Sequence, residues 1–282
     1  MSTIDSNPLT LSEAARFGID YAREQLAGKS ILVLTGAGVS TESGIPDYRG
    51  EGKTERHPMT FDVFMGSQDA RARYWARSYV GWSVIANAKP NGSHFALAQA
   101  ESLGRISHII TQNVDSLHQQ AGSRKVTELH GRLDKVICMS CRVSIERSIM
   151  DSMIEKLNPG IQKDLSVEFT PDGDAEIEAT ANFQVPKCPD CSGILKPDVV
   201  FFGESVPTER VTSTMEQLER TDALLVAGSS LTVNSGMRFA RAANKAGKPI
   251  VIVNVGPTKA DEIALAKIEA PTSVALEELL ID

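Results

Sequence analysis

No run of apolar residues in this chain approaches the ~20 that a membrane-crossing helix needs, and no run of Lys or Arg stands out either. The first absence argues against a membrane span. The second, with a formal net charge of -7, argues against direct nucleic-acid binding, which needs clustered positive charge to release counterions. The opening residues, MSTIDSNPLTLSEAARFG, hold neither a basic stretch followed by an apolar one nor an Arg-rich amphipathic stretch. No secretion or organelle signal is therefore expected, and a cytoplasmic location follows. Aromatic residues are scarce at 5%, and there are only four cysteines. In a reducing compartment those thiols read as metal ligands or redox groups rather than disulfides. What is plentiful is apolar residue content, 41% of 282 residues. That is enough to bury a full core, in one large domain or a large one carrying a smaller insert.

Thr10 followed by Glu13 reads as a capping box; Leu11, Ala15, Ile19, Ala22 and Leu26 then step along one helical face until Gly28. The apolar run ILVL (31–34) ends in a glycine turn, as a buried parallel strand does. The same pattern recurs in HIIT (108–111), ALLVA (223–227) and IVIVNV (250–255), with helical stretches at 93–103, 208–221 and 235–246. Strands alternating with helices predict a doubly wound parallel, Rossmann-like α/β sheet, with ligands outside the carboxyl ends of its strands. Two segments break the rhythm. Residues 50–92 read as mainly helical and carry Tyr74, Trp75, Tyr79 and Trp82; residues 136–197 hold all four cysteines and a polar stretch without helical period. The expected division is a large domain from 1–135 and 198–282, with a helical insert at about 50–92, and a small domain at 136–197.

Gly36-Ala37-Gly38 after a strand suggests a dinucleotide site, since glycines let backbone N–H groups approach a pyrophosphate. A glycine turn kept for packing is the competing reading. The run departs from the dehydrogenase fingerprint, because its next glycine is Gly44 and no acidic residue ends a second strand ~20 positions on. Hydride transfer is disfavoured. Cys138-x-x-Cys141 and Cys188-x-x-Cys191 form two zinc-knuckle halves separated by residues 142–187. Four thiolates complete tetrahedral zinc, so the site is structural and offers no metal-bound water for hydrolysis. A thioredoxin-like redox motif would need one such pair at a helix start, not two. His130 is one of five histidines, and on spacing alone a structural histidine competes with a catalytic one.

GAGVSTESGIPDYR (36–49) resembles the cofactor-loop signature of the sirtuins, and further blocks agree in order and spacing: TQNVDSLH (111–118), ELHG (128–131), VVFFGE (199–204), GSSLTV (228–233) and VNVG (253–256). The resemblance runs from about residue 30 to 256. It implies an NAD-dependent protein-lysine deacylase that transfers the acyl group to ADP-ribose and releases nicotinamide, with NAD as co-substrate and one structural zinc. On that resemblance His130 is the general base, and an imidazole titrating near neutrality suits the removal of a ribose hydroxyl proton. Asn113 orders the ribose and a water, Val114 and Asp115 hold the carboxamide, and Gln112 reaches the ribose hydroxyls. Gly36, Ala37 and Gly38 face the cofactor, and Asp47, Tyr48 and Arg49 belong to a loop that closes over it. Gly228, Ser229, Ser230, Asn254, Val255 and Gly256 contact the adenosine half, as does Thr272, which aligns by count alone.

The strand-like segment 199–204 is expected to bind the acyl-lysine peptide by edge pairing: Val200 offers a carbonyl to the lysine N–H and Phe202 packs on its alkyl chain, with Gly203 and Glu204 beside them. Val199 reads equally well as core. Tyr48, the block RYWARSYVGW (73–82) and the PDGD insert (171–174) resemble the class II branch, one member of which is credited with lipoamidase and ADP-ribosyltransferase activity. Those activities are the alternatives within the enzyme class; a non-catalytic NAD-binding regulatory module is the alternative outside it. In the helix holding Trp75, Ser78 and Gly81 take the positions where desuccinylating sirtuins carry a Tyr and an Arg, which predicts a preference for neutral acyl groups.

Overall fold

The structure, a computed structural model, describes residues 11–47, 58–161 and 182–281. Its helices are α1 (Glu13–Leu26), α2 (Phe61–Gly66), α3 (Gln68–Asn87), α4 (Gly92–Ser102), α5 (Leu117–Gln120), α6 (Arg147–Leu157), α7 (Thr208–Glu219), α8 (Asn234–Lys245) and α9 (Thr272–Leu280). The strands are β1 (Ile31–Thr35), β2 (Ile106–Thr111), β3 (Val126–Glu128), β4 (Gly131–Cys138), β5 (Ser144–Glu146), β6 (Leu195–Val199), β7 (Ala223–Ala227), β8 (Ile250–Val253) and β9 (Ala266–Ile268).

Six strands form one parallel sheet in the order β3-β2-β1-β7-β8-β9. Side chains alternate across it as the period of two demands. Val33, Ile109, Leu225 and Val251 face a core built with α1, α4 and α9. Leu34, Ile110, Val226 and Ile252 face the opposite core, with α7 and α8. Covering on both faces explains why these strands are apolar at nearly every position, and each fully buried Leu or Ile contributes roughly 2 kcal/mol of transfer free energy. The expected doubly wound sheet is thus present. Two strands of this sheet escape the sequence reading: β3 and β9 are edge strands of three residues each, too short to carry a pattern. The start of α1 is also corrected. Its N-cap is Ser12, whose Oγ accepts from Ala15 N at 3.1 Å, so Glu13 is the first helical residue and not the third of a box begun at Thr10, which lies outside the described residues.

Register places the carboxyl ends of four strands side by side. Thr35 pairs with both Thr111 and Ala227, and Ala227 with Val253. The strand order reverses at β1, so the crevice above Thr35 is the sheet's switch point.

The second sheet is antiparallel, β5-β4-β6, and begins at Gly131, one residue past His130. Gly131 is needed there: at φ 85°, a Cβ on it would stand 1.9 Å from the Asp198 carbonyl oxygen. One apolar core joins this sheet to α2 and α3, with Phe64, Tyr74 and Trp75 packed among Leu133, Val136, Leu195 and Phe201. Phe64 meets Tyr74 and Phe201 edge-to-face at 5.4 and 5.1 Å, a geometry suited to ring quadrupoles. Trp75 Nε1 donates to the Leu195 carbonyl at 3.1 Å. Segment 199–204 is strand only at Val199. Gly203 then takes φ 80° and Phe201 N–H turns back to the Glu204 carboxylate at 2.9 Å, leaving Phe202 in a single bridge to Thr60. No helix among the described residues is long and apolar enough to cross a membrane.

Candidate active site

The loops after β1 and β7 touch backbone to backbone. Gly36 N–H donates to the Ala227 carbonyl and Gly38 N–H to that of Gly228, at 3.1 and 2.9 Å. A Cβ on either Gly36 or Gly38 would come within 2.8 Å of Gly228, and one on Gly228 within 2.5 Å of Val39 N. These glycines are therefore required by packing, whatever else they approach. Ser40, buried below them, ties this loop to the one after β2. Its Oγ donates to Asp115 Oδ2 at 2.7 Å and accepts from Asn113 Nδ2 at 3.0 Å. Leu117 N–H donates to the other Asp115 oxygen at 2.9 Å. Burial pushes the Asp115 carboxyl upward, and these hydrogen bonds oppose it.

His130 follows β3 and reaches back into the same crevice. Its Nδ1 lies 2.9 Å from the Gln112 carbonyl and its Nε2 2.8 Å from Ser235 Oγ. Burial lowers its pKa to about 4, Arg210 and Arg238 adding to the effect and the Gln112 carbonyl opposing it. The ring is neutral at pH 7, as a base must be. The Gln112 side chain accepts from Ser229 Oγ at 2.7 Å. Val200 N–H donates to the His130 carbonyl at 2.8 Å, which sets the 199–204 segment beside the base.

Hydrogen bonds, those of Gly36 made to Ala227 and those of Asn113 and Asp115 through Ser40, thus bring together Gly36, Gly38, Gln112, Asn113, Asp115, His130, Val200, Gly228 and Ser229. Others are occupied elsewhere. The Val114 carbonyl takes Leu133 N–H at 3.1 Å. Ser230 Oγ meets Thr232 Oγ1 at 3.0 Å. The Asn254 amide donates to the carbonyls of Val255 and Gly256. Thr272 is buried with its hydroxyl 2.7 Å from Ser93 Oγ. Glu204 holds the buried Lys196 ammonium at 3.0 Å, and that ammonium also bonds the Val199 carbonyl and lies 4.9 Å from the Phe201 ring. Asp47 is described; Tyr48, Arg49 and 171–174 lie outside the described residues. Ser40, Lys196 and Ser235 had not been singled out. Ser40 stood inside the quoted glycine block, and the other two carried no signal of their own.

The four cysteine sulfurs all lie within 4.8 Å of one another. Cys138–Cys191 and Cys141–Cys188 approach at 3.5 and 3.8 Å, close to the roughly 3.8 Å edge of a tetrahedron with 2.3 Å zinc–sulfur bonds. The two loops are folded alike. Cys138 N–H bonds the Val143 carbonyl and Arg142 N–H the Cys138 carbonyl; Cys188 N–H bonds Gly193 and Ser192 N–H bonds Cys188. Arg142 and Ser192 both take the left-handed conformation, at φ 64° and 60°. Two matched knuckles facing each other fit a structural zinc, not a redox pair at a helix start.

Comparison with known proteins agrees with this geometry. The Sir2 family model matches residues 36–235. An NAD-dependent protein deacetylase of Xanthomonas campestris pv. campestris (strain 8004) is 51% identical over 250 residues, covering 87% of this chain and 85% of its own. The chain belongs to the Sir2 family. A second relative of this sirtuin, an NAD-dependent protein deacetylase of Bordetella bronchiseptica, is 50% identical over 254 residues, covering 89% of this chain and 92% of its own. Among solved structures, a Sir2–p53 peptide–NAD+ complex matches with TM-score 0.73 at 32% identity, over 91% of this chain and 94% of that one. A structure described as a basis for the mechanism and regulation of Sir2 enzymes gives 0.74 at 33%, over 94% and 97%.

Proposed function

We infer that this sirtuin is an NAD-dependent protein-lysine deacylase that moves the acyl group to ADP-ribose and releases nicotinamide. The observation that carries the reading is a neutral His130 whose Nδ1 is fixed by the Gln112 carbonyl, placed at the sheet's switch point beside Asn113 and the 199–204 segment. NAD supplies the electrophilic ribose carbon. His130 takes the ribose hydroxyl proton at Nε2, and Asn113 and Asp115, held by Ser40, orient the nicotinamide half. Val200 and Phe202 receive the acyl-lysine side chain of another protein. Adenosine contacts fall to the loops after β7 and β8.

The two sheets support a division into an NAD-binding domain and a smaller zinc domain, the expected bounds at 136–197 falling inside β4 (Gly131–Cys138) and β6 (Leu195–Val199). Four cysteines clustered as metal ligands rather than in disulfides support a cytoplasmic location. Tyr48, the block at 73–82 and the insert at 171–174 support the class II branch.

Nicotinamide release measured with and without acetyl-lysine peptide tests the function. Release that requires the peptide is expected. Release without peptide, with label passing from NAD to protein, would instead mark ADP-ribosyl transfer; NAD binding without any release would mark a regulatory module.

A further inference from the structure

Ser235 is the second residue of α8 and nearly buried, and its hydroxyl lies 2.8 Å from His130 Nε2 across 105 positions of sequence. The direction of this bond follows from the other side of the ring. A carbonyl oxygen only accepts, so the 2.9 Å contact with Gln112 O requires the proton on Nδ1. In the neutral ring Nε2 is then a bare acceptor, and the Ser235 hydroxyl must be its donor. The neighbouring Gly236 lets α8 come this close: a Cβ there would stand 2.8 Å from Gln112 Nε2. One residue, Gln112, thus bears on both arms of the arrangement. Its carbonyl fixes Nδ1, and its side chain lies against the turn that presents Ser235. The charged groups acting on the ring are Arg210 from α7 and Arg238 from α8, and neither supplies an acceptor that could hold the opposite tautomer.

We propose that Ser235 is a positioning residue for the His130 base, its hydroxyl donating to Nε2 so that the imidazole is held in one orientation and in the Nδ1–H tautomer. This rests on the reading of His130 as the base. A substrate hydroxyl that gives its proton to Nε2 arrives where the Ser235 hydroxyl now points, so the ring is already aimed when substrate binds.

A hydrogen bond donated to Nε2 favours the unprotonated ring and holds its pKa down. A hydroxyl kept in the donor role opposes protonation, so its removal is expected to raise that pKa. Ser235→Ala, which keeps a good helix former in the first turn of α8, is expected to shift the acidic limb of kcat/KM upward by roughly 0.5–1 pH unit. It should also lower kcat at pH 7.5 by several-fold and leave the KM for NAD within twofold. Ser235→Thr, which keeps the hydroxyl, restores the limb and kcat. In 15N spectra of histidine-labelled protein at pH 7, the bare-nitrogen resonance of His130 moves in the alanine variant and not in the threonine one. An unmoved resonance and limb in Ser235→Ala, or a loss of kcat that threonine does not restore, overturns the proposal. His130→Ala separates this outcome from failure of the underlying reading: wild-type turnover there removes the base, whereas the nitrogen resonance still reports whether Ser235 bonds the ring.

Discussion

His130 is bonded at both nitrogens, and the Nε2 lone pair that accepts from Ser235 is the one the proposed mechanism uses as a proton acceptor. His130→Ala is therefore expected to reduce peptide-dependent turnover by 10²-fold or more, the usual contribution of a positioned base, while NAD still binds by calorimetry. Binding survives because the cofactor loops are held by Ser40, Asp115 and the glycine contacts, none of which uses the imidazole. Near-wild-type kcat in this variant would remove His130 from the mechanism. At this scale the motifs named residue types well where a chemistry demands a rare one. The four cysteines were legible because only paired thiols at that spacing suit tetrahedral zinc. Ser40 and Ser235 were not, since serine is common everywhere and the partners that give them meaning lie 75 and 105 positions away.

Strands β1, β7 and β8 were legible as buried apolar runs, because helices cover both faces. The edge strands β3 and β9 and the turn in 199–204 depend on tertiary pairing and left no local trace. Elements also meet in ways that set chemistry. His94 of α4 and His118 of α5 are buried with ring centroids 4.9 Å apart, and His118 Nε2 bonds Thr35 Oγ1 of β1 at 2.9 Å. Burial lowers their pKa values to about 4 and about 3, the His94 ring adding to the effect on His118. Both groups bind a proton in the unfolded chain at a pH where the folded chain refuses it. Stability is therefore full above about pH 6.5 and lost as pH falls toward 4, His94 alone accounting for a change on the order of 3 kcal/mol. Urea midpoints between pH 7.5 and 4.5 should fall accordingly, and a flat profile would contradict the buried neutral pair.

By the sirtuin resemblance, helix α3 bears on acyl choice. Ser78 and Gly81 are buried, and Ser78 is engaged by Arg147 of α6, whose guanidinium bonds its Oγ and carbonyl at 3.0 and 2.8 Å. Arg147 is committed in turn to Asp151 at 2.7 Å and stacks on Trp75 and Trp82. A carboxylate brought to these positions would have to break that set, at a cost of several kcal/mol. Peptides bearing acetyl or longer neutral acyl groups should thus exceed the succinyl peptide in kcat/KM. A tenfold advantage for succinyl would show that the carboxylate is received by another cation of this helix, with Arg77 the first residue to mutate.

Across the whole molecule the zinc knuckles are not an appendage. Cys138 and Cys188 are members of the same apolar core as Phe64, Trp75, Leu195 and Phe201, and Phe201 leads directly into the segment proposed to hold the peptide. Gly193 is pressed so closely on Cys138 that a Cβ would lie 2.9 Å from its sulfur, so the knuckle cannot loosen without disturbing that core. The six-stranded sheet has two cores of its own that contain none of these residues, while Ile45, Val114 and Leu117 tie the loops of the proposed NAD crevice to the zinc-side core. Metal loss should therefore spread through α3, the 199–204 segment and these three contacts before it reaches the six-stranded sheet, since ligand binding and folding are coupled in such sites. Cys141→Ser, or a strong chelator, is expected to release the zinc, redshift the emission of Trp75 and raise the KM for peptide at least tenfold. NAD affinity should fall less than the KM for peptide rises, because the glycine contacts between the loops after β1 and β7 lie outside that core. Elemental analysis of a metal-free protein that keeps wild-type emission and peptide KM would break the link, and simultaneous loss of NAD binding would show that the two sheets share one cooperative unit.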